Sequence, residues 1–152
     1  MKAAVIREHG GLDVLRVEDV ADPKPGPGEV VLKVLCAGLN HLDIWARKGR
    51  PGMRLPMPHV LGCDAVGVVA EVGGGVESPK AGDHVIVNPA LSCGRCESCL
   101  RGRHSECVTF GIIGLDSPGT FAERVAVPAS NCFPKPAHLS DVEAGCLALA
   151  CV

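Results

Sequence analysis

The chain has 152 residues, 47% of them hydrophobic and 21% charged, with a formal net charge of −2; that is about one domain, able to bury roughly 70% of its unfolded surface around a core. Scattered Lys and Arg, three Phe, one Trp and no Tyr supply neither the basic face nor the stacking platform of a nucleic-acid partner. No apolar run approaches the ~18 residues of a membrane span, and Met1-Lys2-Ala3-Ala4-Val5-Ile6-Arg7 meets charge too soon for a signal peptide, so no membrane partner is expected.

In chain order, residues 3–7 and 15–20 read as short strands. Asp22-Pro23-Lys24-Pro25-Gly26-Pro27-Gly28 cannot be helical and reads as an extended connector ending in a turn. Residues 29–39, rich in Val and Leu, read as a long strand apolar on both faces, and 65–72 as a second, ended by Gly73-Gly74-Gly75. A short helix fits 40–48, and strands fit 84–87 and 121–127, the last with Phe121, Val125 and Val127 on one face. Ser140-Asp141-Val142-Glu143 is a capping-box sequence and starts a helix running towards Ala150. Many short strands broken by 19 Gly and 12 Pro give a mainly β fold with short helices, a barrel or sandwich. There is no internal repeat.

Four cysteines fall within fifteen residues: Cys93, Cys96, Cys99 and, after seven more residues, Cys107. Zinc takes four ligands in a tetrahedron with Zn–S near ~2.3 Å, and three cysteines two residues apart supply three of them from one loop. With Cys107 the site is closed, no position is left for water, and the ion is structural. An iron–sulfur cluster also uses this triplet but places its fourth cysteine after three residues, before a proline; here Val108 follows. Disulfides and His104 as the fourth ligand are the other readings. Arg95, Arg101 and Arg103 lie in the same loop and are placed to screen the thiolate charge. Nine cysteines, an odd number, fit a reducing cytoplasm better than a secreted disulfide scaffold.

Lys2-Ala3-Ala4-Val5, the Pro-Gly-Pro-Gly-Glu connector, Gly82-Asp83-x-Val85 and the run Gly62-Cys63-Asp64 with Gly67, Gly73 and Val76 together resemble the N-terminal, GroES-like domain of the medium-chain dehydrogenases. This is the superfamily of zinc-type alcohol dehydrogenases and quinone oxidoreductases. The cysteine run resembles that family's structural zinc lobe in place and spacing. The resemblance implies a GroES-like, partly open β-barrel over residues 1–152 with a protruding zinc lobe at 92–110. It also implies that the nucleotide-binding domain is absent from the chain, since no G-x-G-x-x-G stands between a strand and a helix.

Against the family's catalytic-zinc pattern the matching positions are Asn40, Cys63 and Leu149, and Asp64 replaces the usual glutamate; Leu42 replaces the proton-relay Ser or Thr. Asn40-x-x-Asp43 is instead similar to the quinone oxidoreductase-like branch, which has no catalytic metal. By resemblance Asn40, Asp43, Cys63 and Asp64 face the cleft, and His41 approaches the cofactor pyrophosphate. Each has a plainer reading. Asn40 is a favoured helix cap, His41 a solvated helix residue, Asp43 a structural carboxylate pairing a lobe arginine, and Cys63 a small core residue.

The expected function is the substrate-side domain of an NAD(P)-dependent oxidoreductase acting on a small molecule of the quinone, enone or alcohol/aldehyde class. It carries a structural zinc and uses NAD(P)H, NADPH included, only together with the missing domain. The 152-residue chain alone is expected to be inactive, and exposed apolar residues after Ser140 suggest a homo-oligomer. The alternative is a stand-alone, zinc-stabilised GroES-like binding or assembly module.

Overall fold

A computed structural model describes residues 1–53 and 55–151; Val152, the end of the expected domain span, lies outside them. In chain order the elements are β1 (Lys2–Ile6), β2 (Arg16–Asp19), β3 (Glu29–Gly38), α1 (His41–Lys48), β4 (His59–Val60), β5 (Asp64–Val72), β6 (His84–Val87), β7 (Ala90–Leu91), α2 (Glu97–Leu100), β8 (Gly111–Ile112), β9 (Arg124–Pro128), β10 (Cys132–Pro134) and α3 (Asp141–Ala144). Three short 3-10 turns, among them Leu12–Val14, complete the described elements.

The main sheet runs β10-β6-β5-β3-β9, antiparallel throughout. A small sheet, β2-β1-β4, lies beside it, and a bridge between Ala3 and Ala122 joins the two. The arrangement is a partly open barrel; no closed one occurs among the described residues. The longest pairing, β3 with β5, runs from Val30 opposite Val72 to Gly38 opposite Asp64, with irregularities after Val31 and after Val34. It therefore brings the end of β3 beside the start of β5, where the cleft residues sit.

Apolar residues sort into two cores. Val30, Leu32, Ala65, Val69, Val85, Val87, Val125 and Val127 fill the main one, with Ile113 from the loop after β8. Ile6, Ala46 and Leu61 form the second, where α1 packs on the small sheet. β3 and β5 are buried on both faces only in part. Val30, Val31 and Leu32 are fully buried, while Lys33 and Leu35 are exposed, and β5 is exposed from Ala70 on. The apolar runs thus overstate burial where the strands leave the centre of the barrel.

Two expected elements come out shorter. The strand placed at 121–127 begins at Arg124; Phe121 instead donates its N–H to the Leu61 carbonyl at 2.9 Å. The helix at Ser140 has its capping box, with Ser140 N–H on Glu143 Oε2 at 2.9 Å, but ends at Ala144. A Cβ on Gly145 would lie 3.2 Å from that of Cys36, so the chain passes β3 at a glycine and then turns away.

Leu32 is fully buried in the main core. Leu32→Ala removes its contacts and leaves a cavity, so it is expected to lower unfolding free energy by about 3 kcal/mol in urea titrations.

Candidate metal centre and adjoining cleft

The lobe leaves the barrel at the two-stranded β7–β8 ladder, where Ala90 pairs with Ile112 and Leu91 with Gly111. Asn131 fixes this base by donating its Nδ2 to the carbonyls of Asn88 and Ala90, at 2.7 and 2.9 Å. No sequence pattern pointed to Asn131.

The sulfurs of Cys93, Cys96, Cys99 and Cys107 all lie within 4.8 Å of one another. A zinc tetrathiolate has an S–S edge of about 3.8 Å, from Zn–S near ~2.3 Å; Cys93 and Cys99 already stand at 4.0 Å. The backbone prepares the sulfurs for negative charge. Cys96 N–H points at Cys93 Sγ and Cys93 N–H at Cys107 Sγ, both at 3.3 Å, and Thr109 N–H reaches Cys107 Sγ at 3.4 Å. The Cys93 amide, the Thr109 hydroxyl and the Thr109 amide draw the Cys107 thiol down to about 6. Cys99, desolvated among the other sulfurs, is pushed up to about 11. Four thiolates in so small a volume repel one another, and a divalent cation at their centre relieves that repulsion. The donor set fits zinc.

All nine cysteines are free thiols in the structure, and His104 stands outside the cluster with its Nδ1 3.1 Å from Ser92 Oγ. Two of the three lobe arginines expected to screen the sulfurs, Arg101 and Arg103, pair with carboxylates instead. Arg101 pairs with Glu97 at 2.6 Å and Arg103 with Glu106 at 3.4 Å, all on the surface.

The cleft lies where β3 ends. Asn40 caps α1, and Asp43 closes the capping box by accepting the Asn40 N–H at 2.7 Å. The Asn40 carboxamide then donates to Asp64 Oδ2 at 2.9 Å and approaches Cys63 Sγ at 3.4 Å. A carboxylate only accepts, so the amide nitrogen must face Asp64. Asp64 Oδ1 takes the Leu149 N–H at 2.8 Å, and the Asp64 carbonyl takes the Thr120 hydroxyl at 2.9 Å. Asn40, Cys63, Asp64 and Leu149 thus come together, as the resemblance implied, but as a hydrogen-bonded knot.

Gly62 makes this path possible. Its φ is +98°, and a side chain there would collide with Phe121 and Thr120; only glycine holds that backbone at little cost. Asp43 is buried and pairs with no arginine, contrary to its plainer reading. Burial pushes its carboxyl up, opposed by the Asn40 and Gly62 amides. His41 is exposed, its ring 4.8 Å from that of Trp45, over which Arg50 stacks at 3.6 Å. A cavity of about 600 Å³ opens beside Asn40, walled by Leu15, Ile44, Leu61 and Phe121 and bordered by Arg47. Arg47 drew no notice in the sequence because Arg four residues after Asp reads as a surface helix pair.

Burial, with Asp43 and Asp64 nearby, pushes the Cys63 thiol up to about 12. A raised thiol pKa means less thiolate at any working pH, hence a poor nucleophile. Iodoacetamide at pH 8 is therefore expected to modify the exposed Cys146 and Cys151 well before Cys63, as read by peptide mass spectrometry.

Residues 26–137 match the family model described as the alcohol dehydrogenase GroES-like domain. L-threonine 3-dehydrogenase of Pyrococcus horikoshii is 37% identical over 88% of this chain and 38% of its own length. A crystal structure of an NAD-dependent alcohol dehydrogenase superposes with a TM-score of 0.93 at 50% identity, over 98% of this chain and 43% of that one. The cobalt- and zinc-bound thermostable alcohol dehydrogenase of Pyrobaculum aerophilum gives 0.87 at 38% identity, over 95% and 44%. The chain thus spans less than half the length of the relatives it matches. The family-model match over residues 26–137, which hold the main sheet and the four-cysteine lobe, places the chain in the alcohol dehydrogenase GroES-like domain family.

Proposed function

We propose that the chain is the substrate-side domain of an NAD(P)-dependent oxidoreductase of the quinone, enone or alcohol/aldehyde class, with one structural zinc and no catalytic zinc. The observation that carries this reading is the knot at the cleft. Asn40 offers a neutral carboxamide engaged with Asp64, Leu149 has no ligating side chain and gives its N–H to Asp64, and Cys63 is buried and approached by the Asn40 amide. A zinc ion needs electron-pair donors free to turn toward it, and these groups are committed to one another.

The nicotinamide cofactor, when bound, supplies or accepts hydride. This chain's own residues shape the site. Leu15, Ile44, Leu61 and Phe121 give the cavity an apolar wall, and Asn40 is held at its edge by Asp43 and Asp64. His41 is exposed at the start of α1, which is consistent with its meeting cofactor phosphate. Pyrophosphate and adenosine contacts need a helix N-terminus and a glycine-rich turn. Gly73-Gly74-Gly75 is no such turn, being folded onto the connector with Gly28 N–H on the Gly74 carbonyl at 2.9 Å.

Nine free thiols support a reducing, cytoplasmic setting. Exposed Leu100, Val108 and Phe110 on the lobe and Val142 on α3 support a homo-oligomer. Leu147 and Leu149, counted on for the same surface, are half-buried.

Elemental analysis is expected to find one zinc per chain, lost in Cys96→Ser and kept in Cys63→Ala. Two zinc ions, one of them lost in Cys63→Ala, would overturn the reading. Cys96→Ser should also loosen residues 92–110 while leaving barrel amides protected from hydrogen exchange, because the core strands lie outside the lobe. Calorimetric titration of the 152-residue chain with NADH and NADPH should show no saturable binding at micromolar concentration. Light scattering should show a dimer or larger species.

A further inference from the structure

Arg47 is a cation that the fold has largely buried without giving it a carboxylate, while its unbonded guanidinium nitrogens keep some contact with solvent. It is 7% exposed. Its Nη1 donates to the Gly10 carbonyl, and its own carbonyl takes the Gly10 N–H at 2.9 Å. Asp43, one helical turn earlier, is the partner that spacing offers, but its carboxylate is turned to the Asn40 N–H at 2.7 Å. No ion pair among the described residues includes Arg47. Buried charges are ordinarily paired. A guanidinium carries five N–H donors, and the bond to Gly10 uses one nitrogen.

The side chain borders the cavity of about 600 Å³ beside Asn40. Lys48 and His41, both exposed, add basic groups to the same wall, and the only acid there is the committed Asp43. The rest of the lining is mostly apolar, with Leu12, Leu15, Ile44, Leu61 and Phe121. We propose that this cavity takes a small molecule bearing a carboxylate or phosphate on an apolar body, with Arg47 receiving the anion and the leucine and phenylalanine side chains receiving the body. The planar guanidinium fork matches either group through two parallel hydrogen bonds. Lys48 strengthens capture from the rim. This rests on the oxidoreductase reading and gives the class of its substrate: an apolar acid or phosphate ester.

The test is binding by the zinc-loaded protein with no dinucleotide present, followed by NMR of Leu and Ile methyl groups and by calorimetry. The probes are hexanoate, hexyl phosphate, hexan-1-ol, inorganic phosphate and nicotinamide mononucleotide. Hexanoate or hexyl phosphate is expected to bind at least about tenfold more tightly than hexan-1-ol, the difference a charge-assisted pair supplies, and to shift the Leu15, Ile44 and Leu61 methyls. Arg47→Gln should weaken that binding by about tenfold or more. Arg47 also holds Gly10, so Lys48→Glu, on an exposed side chain, is the second variant; it should keep the thermal midpoint and weaken anion binding about fivefold. Equal affinity for hexan-1-ol, unchanged affinity in Lys48→Glu, or methyl shifts away from this cavity would each overturn the proposal. Binding of inorganic phosphate or the mononucleotide without hexanoate or hexyl phosphate would also overturn it, making the site one for cofactor phosphate. Because no hydride transfer is measured, failure here leaves the oxidoreductase reading standing, and failure of that reading leaves the anion site standing.

Discussion

The Asp64 carboxylate, 1% exposed, holds three separate parts of the chain together. One oxygen takes the Asn40 side chain at the end of β3, the other takes the Leu149 backbone beyond α3, and its own residue begins β5. A buried carboxylate left with an unmade bond is costly, about 1–3 kcal/mol or more for a charged group, so each of these segments is fixed in place by the others' presence. The Asn40 cap sets the direction of α1, and α1 in turn sets the wall of the cavity. The position of the cleft thus depends on one acid.

Burial governs the chemistry of Asp64's neighbours. It pushes both the Cys63 thiol and the Asp43 carboxyl up, with Asp64 adding to the shift, while backbone amides oppose it at Asp43. A poorly ionising thiol, an amide-bonded carboxyl and a bridged carboxamide make a rigid, self-satisfied edge. Rigidity suits a surface that holds a bound molecule in one position, where small displacements are costly.

The lobe follows different rules. It has almost no apolar core of its own, its charges pair within itself, and it joins the barrel through a two-residue ladder on each side. Its order comes from four sulfurs and the N–H groups turned toward them. Barrel and lobe therefore rest on independent physics, apolar burial in one and, in the other, a four-cysteine cluster compatible with zinc.

Sequence alone determined what is local or periodic. Cysteine spacing fixed the candidate zinc ligands, because ligands two residues apart must meet whatever surrounds them. Continuous runs rich in Val and Leu fixed the main strands, and Asn40 and Ser140 announced α1 and α3 through caps that involve only the next turn. The resemblance carried by Gly62-Cys63-Asp64 brought the cleft residues to notice. Tertiary structure decided everything set by long-range contact. Gly145 ends α3 because β3 passes behind it at Cys36, and Phe121 leaves its strand because the Leu61 carbonyl claims its N–H. Asp43 turns from Arg47 to backbone amides, and Arg47 is buried against Gly10, a residue 37 positions away. Apart from the Asn40–Asp43 contact, a local capping box, none of these outcomes has a signature within one helical turn or one strand, since each depends on which segment arrives opposite when the two cores close.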